Sequence, residues 1–485
     1  MAERAVRVAV IGGGMSGILA AIRLQEAGIY DFTVYEKAGS LGGTWRDNDY
    51  PGLSCDIPSH VYSYSFAPNP NWSHRFAPGA EIRDYLCDIA QQRGIFPHVH
   101  FHQEVTACRW DGQRWQLTCG DGDRAEADCV IAATGVLHHP NRPEFKGLSE
   151  FAGAAFHSAR FRHDVPLDGR RVGIVGTGST AAQLVGALIP QVEHLALFQR
   201  TAQWIFPSRN AAYSAEEQAL FRRDPAALRA LRRKLEQSIE ESFADALADA
   251  DSSAMHAIEE ACRLNLEEQV LDPQLRERLR PDYRAACKRL VVSDRFYEAI
   301  QSPNASLVTS PIDHVEAAGV VTADGQLHPL DVLILATGFR THDFMRPMRI
   351  VGHEQRSLDQ LWGQAPFAYR TVSIPNFPNF FMLVGPHSPV GNFSLIEVAE
   401  LQMDFILQLM SGIQRGTYRA VCASDSSTAA FNMTIDEAMR NTIWVTGCRS
   451  WYLDEKGKPA VWPWGMTRFR ETMRTPNLDD FDIYR

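Results

Sequence analysis

Two short glycine-rich stretches, each set between an apolar strand pattern and an apolar helix pattern, restrict this chain more than any other feature. VRVAVIGGG, MSGILAAIRLQEAG and FTVYEK follow one another between residues 6 and 36, spelling strand, loop, helix and strand. RRVGIVGTGSTAAQLVGALIPQVEHLALFQR repeats that order over residues 170–200. A strand that returns through a helix to run beside its predecessor builds half of a doubly wound sheet, so two such units predict two parallel sheets. A chain of 485 residues has room for both and for a further element.

The loops themselves carry chemistry. Gly12, Gly14 and Gly17 hold the G-x-G-x-x-G positions, where the glycines serve a tight turn, close backbone approach to a pyrophosphate, and helix packing. Glu36 ends the next strand, where a carboxylate meets ribose hydroxyls. In the second loop Gly176 and Gly178 are followed by Ser179, Thr180 and Ala181, with alanine in the third glycine's place. Its next strand ends Gln199-Arg200-Thr201, a cation where the first unit has a carboxylate, which suits a 2′-phosphate. Read without context, the glycines could mark tight turns and Arg200 a surface position. Together the cradles imply two dinucleotides, one with free ribose hydroxyls and one phosphorylated; FAD and NADPH are the economical pair.

Between these units the pattern changes. Residues 42–80 are rich in Gly, Pro and aromatics without helical periodicity and predict a long functional loop. WQLTC (115–119) and DCVIAAT (128–134) predict strands, as do SLVT (306–309), DVLILATG (331–338) and FPNFFMLVGP (377–386), with a helix from about 394 to 411. An Ala, Arg, Glu and Leu-rich segment without glycine predicts a helical insertion over 211–284. The tail from 447 reads as irregular and aromatic. The expected architecture is α/β, with two Rossmann-like domains, the second inserted into the first. The first takes residues 1–145 and 375–485, the second 146–210 and 285–374.

Composition removes other classes. Against 48 Lys and Arg stand 58 Asp and Glu, a net charge of -10 without a long basic run, so nucleic acid is not an expected partner. No apolar run reaches the roughly 20 residues of a membrane span, and MAERAVRVAVIGGG lacks the layout of a signal peptide. A cytoplasmic protein is expected. Nine cysteines without a C-x-x-C pair argue against a disulfide framework and against a zinc site, and no metal is expected.

The residues resemble the class B flavoprotein monooxygenases, which include Baeyer-Villiger monooxygenases and flavin-containing monooxygenases. The resemblance spans essentially the whole chain and rests on both glycine loops, on the paired segments Ala133-Thr134-Gly135 and Ala336-Thr337-Gly338, and on the pattern Phe151-x-Gly153-x-x-x-His157-x-x-x-Phe161. That pattern is implied to be a linker into the NADPH domain, with no acid or base role for His157. Type I Baeyer-Villiger enzymes usually carry Trp where this chain has Phe161, and the Phe form favours oxidation of sulfides or amines. Two other segments favour the ketone chemistry. GGTWRDNDYPGLSCDIPSHVYSYSF (42–66) is similar to the Baeyer-Villiger flavin loop, with Gly43, Thr44, Trp45, Tyr50, Cys55 and Asp56 on its motif, and CKRLVVSDRFYEAI places Lys288-Arg289 on the pair that presents an arginine to the flavin.

By this resemblance Asp56 orients Arg289, and Arg200, Thr201 and Lys288 surround the 2′-phosphate. Trp451 and Lys458 fall in a loop that closes over NADP+, although the LDEKG between them departs from the family's usual small and Asn-containing stretch. Trp462, Trp464, Met466 and Phe469 are candidates for the substrate entrance. The implied reaction is NADPH-dependent (EC 1.14.13-type) conversion of a ketone to an ester or lactone with O2 through a C4a-peroxyflavin. A guanidinium can keep such a peroxide anionic and stabilise charge on the ketone oxygen, a contribution of roughly 3 to 4 kcal/mol. Protonated, the peroxide would oxidise a sulfide or amine instead, which is the alternative. A disulfide reductase is disfavoured, since Cys55 has no cysteine near it until Cys87. Substrate identity and oligomeric state are not legible.

Overall fold

A computed structural model describes residues 4–363, 365–391 and 393–485. The first three residues of the N-terminal stretch quoted above lie outside it. Two five-stranded parallel sheets dominate, and they share one plan. In the first, Val8–Ile11 stands at the centre between Phe32–Tyr35 and Cys129–Ala132, with Val99–His100 and Phe380–Met382 at the edges. In the second, Arg171–Val175 is central between His194–Phe198 and Val332–Leu335, with Ala305–Val308 and Ala154–His157 at the edges. The central strands are apolar without alternation because both faces are covered.

On one face of the first sheet, Ile18, Leu19 and Ile22 of the helix Met15–Glu26 join Met403, Ile406 and Met410 of the helix Leu395–Gln414 in one buried cluster. On the other face, Ala9, Ile11, Val130 and Ala132 pack with Trp110, Trp115 and Leu117 of a sheet formed by Arg349–Val351, Val105–Trp110, Trp115–Cys119 and Arg124–Ala127. The Arg349–Val351 strand shifts one expected boundary. Phe344, Met348, Ile350 and Trp362 share the buried cluster of Trp110 and Trp115, so the chain rejoins the first core soon after Gly338 and well before residue 375. The turn at 336–338 ends the second sheet, and the aromatic anchors that follow have no strand-length pattern to announce the crossing.

The helical insertion contains Ala215–Arg223, Pro225–Ile239, Ser253–Gln269 and Pro273–Leu279. Its starts are written locally. Ser214 and Glu217 form a reciprocal capping box, and Asp224 and Asp272 cap helices that open with proline.

The linker pattern has a structural explanation. Phe151 is buried, and a Cβ on Gly153 would lie 2.2 Å from the Asp331 carbonyl oxygen, so only glycine lets the edge strand Ala154–His157 approach. His157 accepts from the Ala159 N–H at 3.1 Å through Nδ1, which leaves Nε2 to donate to the Gly338 carbonyl at 3.1 Å. Burial lowers this imidazole to about 4, with the Gly338 bond opposing.

Three expectations change. The stretch 42–80 contains a helical turn, Thr44–Asp47, and the tail contains the helix Met466–Met473 and the strand Phe481–Tyr484, which pairs with Ala420–Ala423. Trp462, Met466 and Phe469 are buried core residues, and neither they nor Trp464 line the central cavity; Met466 and Phe469 lie on the apolar side of the helix Met466–Met473, which faces the first core, and Trp462 packs there just before it. Cys287 and Cys448, 161 residues apart, form a disulfide, a pairing that spacing along the chain cannot reveal. The other seven cysteines are free.

Candidate active site

One cavity of about 1220 Å³ lies across the C-terminal ends of both sheets. It is lined by Gly12, Gly14, Glu36, Gly43, Thr44, Trp45, Asp56, Gly176, Gly178, Ser179, Thr180, Arg200, Thr201, Lys288, Arg289 and Trp451. Of the residues expected at the glycine cradles, Gly17 stands back from it. A Cβ there would lie 1.8 Å from the Gly12 carbonyl oxygen, so Gly17 serves the packing of helix on loop.

The first cradle is pinned by Glu36, whose carboxylate accepts from the Gly13 and Ala38 N–H groups, each at 2.8 Å, and meets Arg46 at 3.1 Å. Gly12 has a φ of +110°, and a Cβ on Gly43 would come within 2.8 Å of Gly14 Cα, so the two backbones form a narrow slot. The helices Met15–Glu26 and Ser179–Leu188 both start at a glycine and neither has a side-chain cap, which leaves their first N–H groups for an anion. In the second cradle a Cβ on Gly176 would meet the Ala336 carbonyl oxygen at 2.3 Å, whereas one on Gly178 would point into open space. These shapes fit two dinucleotides.

Arg200 and Lys288 both line the cavity at the second cradle. Burial lowers the Lys288 ammonium, with Asp282 opposing and the Arg200 charge adding to the effect. The Lys288 nitrogen sits 4.4 Å above the Tyr283 ring. Two neighbouring cations beside an uncapped helix start suit a phosphate ester.

The flavin-loop candidates and the arginine segment meet although they are distant in sequence. Arg289 donates from Nε to Asp56 Oδ2 at 2.9 Å and from Nη2 to Oδ1 and Oδ2, both at 2.7 Å. Their side chains are 30 % and 22 % exposed. Burial works against the Arg289 charge, but Asp56 and the Tyr452 side chain outweigh it and raise the pKa, so the guanidinium is charged at every working pH. The loop that carries Asp56 is tied to the second sheet's helix: Tyr50 donates to Gln183 at 2.8 Å, and Gln183 donates to the Ser54 carbonyl at 3.0 Å. Trp45 donates to the Tyr62 hydroxyl at 3.1 Å.

Trp451 reaches the cavity, and its carbonyl accepts from His342 at 2.9 Å. Lys458 does not reach it and pairs with Asp436. The aspartate captures the lysine across the loop, where the sequence departs from the family stretch. Phe161 also lies away from the cavity, packed edge-on against Phe156 at 5.2 Å. Sequence reasoning missed the Tyr50 and Gln183 link, since no local pattern distinguishes a tyrosine that reaches a distant helix.

Two cradles of opposite charge, opening on one cavity with a fixed arginine-carboxylate pair, define an oxidoreductase of the two-dinucleotide class. The model of the flavin-binding monooxygenase-like family matches residues 5–415, and the chain belongs to that family. An uncharacterised monooxygenase of Mycobacterium tuberculosis is 46% identical over 100% of this chain and 97% of its own length. A Baeyer-Villiger monooxygenase of Streptomyces coelicolor is 40% identical over 99% of this chain and 93% of its own. The solved structure of cyclohexanone monooxygenase from Rhodococcus sp. Phi1 bound to NADP+ matches with a TM-score of 0.88 at 28% identity, covering 99% of both chains. An oxidised steroid monooxygenase bound to NADP gives the same score, identity and coverage. Among the described residues no helix is long and apolar enough to cross a membrane.

Proposed function

We propose that this protein is an FAD- and NADPH-dependent Baeyer-Villiger monooxygenase that converts a ketone to an ester or lactone with O2. One observation carries the reading: the Arg289 guanidinium, held by three hydrogen bonds to Asp56, lines the same cavity as both glycine cradles. When bound, FAD reduced by NADPH supplies the oxygen chemistry. The chain's own residues then do five things. Gly12, Gly14, Glu36, Gly43, Thr44 and Trp45 would hold the flavin dinucleotide. Gly176, Gly178, Ser179 and Thr180 would hold the nicotinamide dinucleotide, with Arg200, Thr201 and Lys288 at its 2′-phosphate. Arg289, a permanent cation, would keep an attacking oxygen unprotonated and then stabilise the negative charge that develops on the ketone oxygen. Asp56 fixes the plane of that guanidinium, and Trp451 helps close the cavity to water.

The sulfide or amine reading rested on Phe161. Its ring packs in the linker and away from the cavity, so it has no contact through which to choose the chemistry. The test is Arg289→Ala: ester formation should fall below detection while FAD stays bound and NADPH oxidation continues in part. Unchanged ester yield would remove Arg289 from the mechanism and the reading with it.

We also infer an FAD unit from residues 1–145 and the C-terminal part, an NADPH unit from 146–210 and from 285 to about 340, and the insertion between them; the two sheets and their separate cores support this division. The net charge of -10 supports small-molecule partners and no nucleic acid.

A further inference from the structure

One disulfide joins Cys287 to Cys448, and the other seven cysteines are free. A chain with large buried cores does not depend on a single bond as its scaffold, so the place of that bond is informative. Cys287 directly precedes Lys288 and Arg289, and Cys448 directly precedes Arg449, Ser450 and Trp451. All five of these neighbours line the central cavity. The bond spans 161 residues of sequence and sets the two Cα atoms 6.1 Å apart, so it ties one cavity-lining stretch to another.

Beyond Cys448 the chain forms a hairpin with hydrogen bonds of its own. The Asp454 N–H donates to the Lys458 carbonyl and the Ala460 N–H to the Tyr452 carbonyl, each at 2.8 Å, and Leu453 pairs antiparallel with Pro459. Asp454 Oδ1 accepts from the Lys456 and Lys458 N–H groups, both at 2.9 Å. The LDEKG that departs from the family's usual stretch is therefore what turns the hairpin. His342 grips it at the Trp451 carbonyl at 2.9 Å, and Asp436 pairs with Lys458. These two contacts are polar and exchangeable; the bond at Cys448 is covalent and lies at the base, next to the residues that line the cavity.

We propose that the Cys287–Cys448 disulfide is a redox-sensitive clasp: formed, it holds Arg449, Ser450 and Trp451 against the Lys288 and Arg289 stretch and keeps the cavity closed on the nicotinamide dinucleotide; reduced, it frees the hairpin to move as a unit. The reductant is a dithiol. Cys287 is fully buried, whereas Cys448 is 6 % exposed and flanked by the exposed Gly447 and Arg449, so the exchange enters at Cys448. A thiolate of the dithiol attacks the Cys448 sulfur, the S–S bond breaks, and Cys287 leaves as a thiolate that takes up a proton. The second thiol of the reductant then attacks the mixed disulfide and releases Cys448 as a thiol. The protein gains two electrons and two protons, and the dithiol is oxidised to its own disulfide. The inference rests on the reading of the second cradle as the nicotinamide dinucleotide site.

The test compares FAD-loaded protein before and after dithiothreitol under argon, together with Cys448→Ser. Alkylation followed by peptide mass spectrometry should find Cys287 and Cys448 closed before treatment and both labelled after it. Hydrogen-deuterium exchange over residues 448–460, which requires no turnover, should quicken about tenfold on reduction. The Kd of NADP+ should rise by about tenfold, because the reduced hairpin must be ordered again on binding, and ester formed per NADPH should fall with it. Cys448→Ser should match the reduced wild type with or without dithiothreitol; chemical reduction leaves the sequence untouched and decides the matter if that variant does not fold. Labelling of both cysteines before any reductant, or unchanged exchange and Kd after both are labelled, would overturn the clasp. Equal binding of NADP+ by the oxidised and reduced forms would leave the functional reading standing without the clasp. An oxidised form that binds no NADP+ would mean that the reading of the second cradle has failed, and the clasp with it.

Discussion

Asp56→Asn separates the charge of the arginine's partner from its shape. The carboxylate accepts three hydrogen bonds from Arg289, at 2.9, 2.7 and 2.7 Å. Asparagine can set its oxygen at the Oδ2 position, which takes two of the three bonds, and then turns its NH2 toward Nη2, donor against donor, so one of the three contacts is lost. At about 1.5–3 kcal/mol for a hydrogen bond to a charged group, the loss is about 1.5–3 kcal/mol before screening. Both side chains are partly exposed, at 30 % and 22 %, and solvent screening brings the figure to about 1–2 kcal/mol. If that energy holds the guanidinium where charge develops, ester formation should fall about 5- to 30-fold. KM for NADPH should stay within about twofold, because Asp56 lies at the flavin loop and away from the Arg200 cradle. The assay is gas chromatography of ester against NADPH consumed at saturating ketone. Ester formation within about threefold of wild type would refute the claim that Asp56 orients Arg289.

Other predictions follow from the same geometry. Arg200→Ala should raise the KM for NADPH by about tenfold or more and leave that for NADH nearly unchanged, as steady-state kinetics with both cofactors would show; equal effects would mean that Arg200 does not read the 2′-phosphate. His157, buried and lowered to about 4, stays neutral when folded, while an unfolded histidine titrates near 6.5. The unfolded chain therefore binds more protons below that value: the stability contribution is whole above about pH 6.5 and lost as pH falls toward 4, by about 2 kcal/mol between pH 7 and 5. Denaturant titrations of wild type and His157→Gln at both pH values check this, and an unchanged difference between them would contradict it. Phe161→Trp should leave the ratio of ester to sulfoxide products unaltered, since the ring packs on Phe156 and away from the cavity.

Much of this was legible where chemistry is local. The glycine loops lie within a few residues of the strands and helices that they join, and Val8–Ile11, Met15–Glu26 and Phe32–Tyr35 form where the pattern requires. Glu36 and Arg200 were readable as opposites because each follows within two residues of the second strand of its unit. What the sequence hid depends on distance. Cys448 reaches Cys287, and Arg349–Val351 crosses to Val105–Trp110, and none of these partners shares a local pattern with the other. Aromatic residues misled for a related reason. Trp462 and Phe469 have the composition of a pocket wall, but they pack on each other in the first core, where burial of a large ring is the ordinary outcome. Lys458 failed through a competitor, since Asp436 holds it in an ion pair outside the cavity lining.

The central claim is that Arg289 and Asp56 direct this cavity toward ketones, and labelled oxygen tests it most directly. Purified protein with FAD, NADPH and isotopically labelled O2 is incubated with cyclic, linear and aromatic ketones and one sulfide, and the products are identified by mass spectrometry. Ester or lactone carrying one labelled oxygen atom is the result predicted here. Sulfoxide alone, with every ketone untouched, would contradict it.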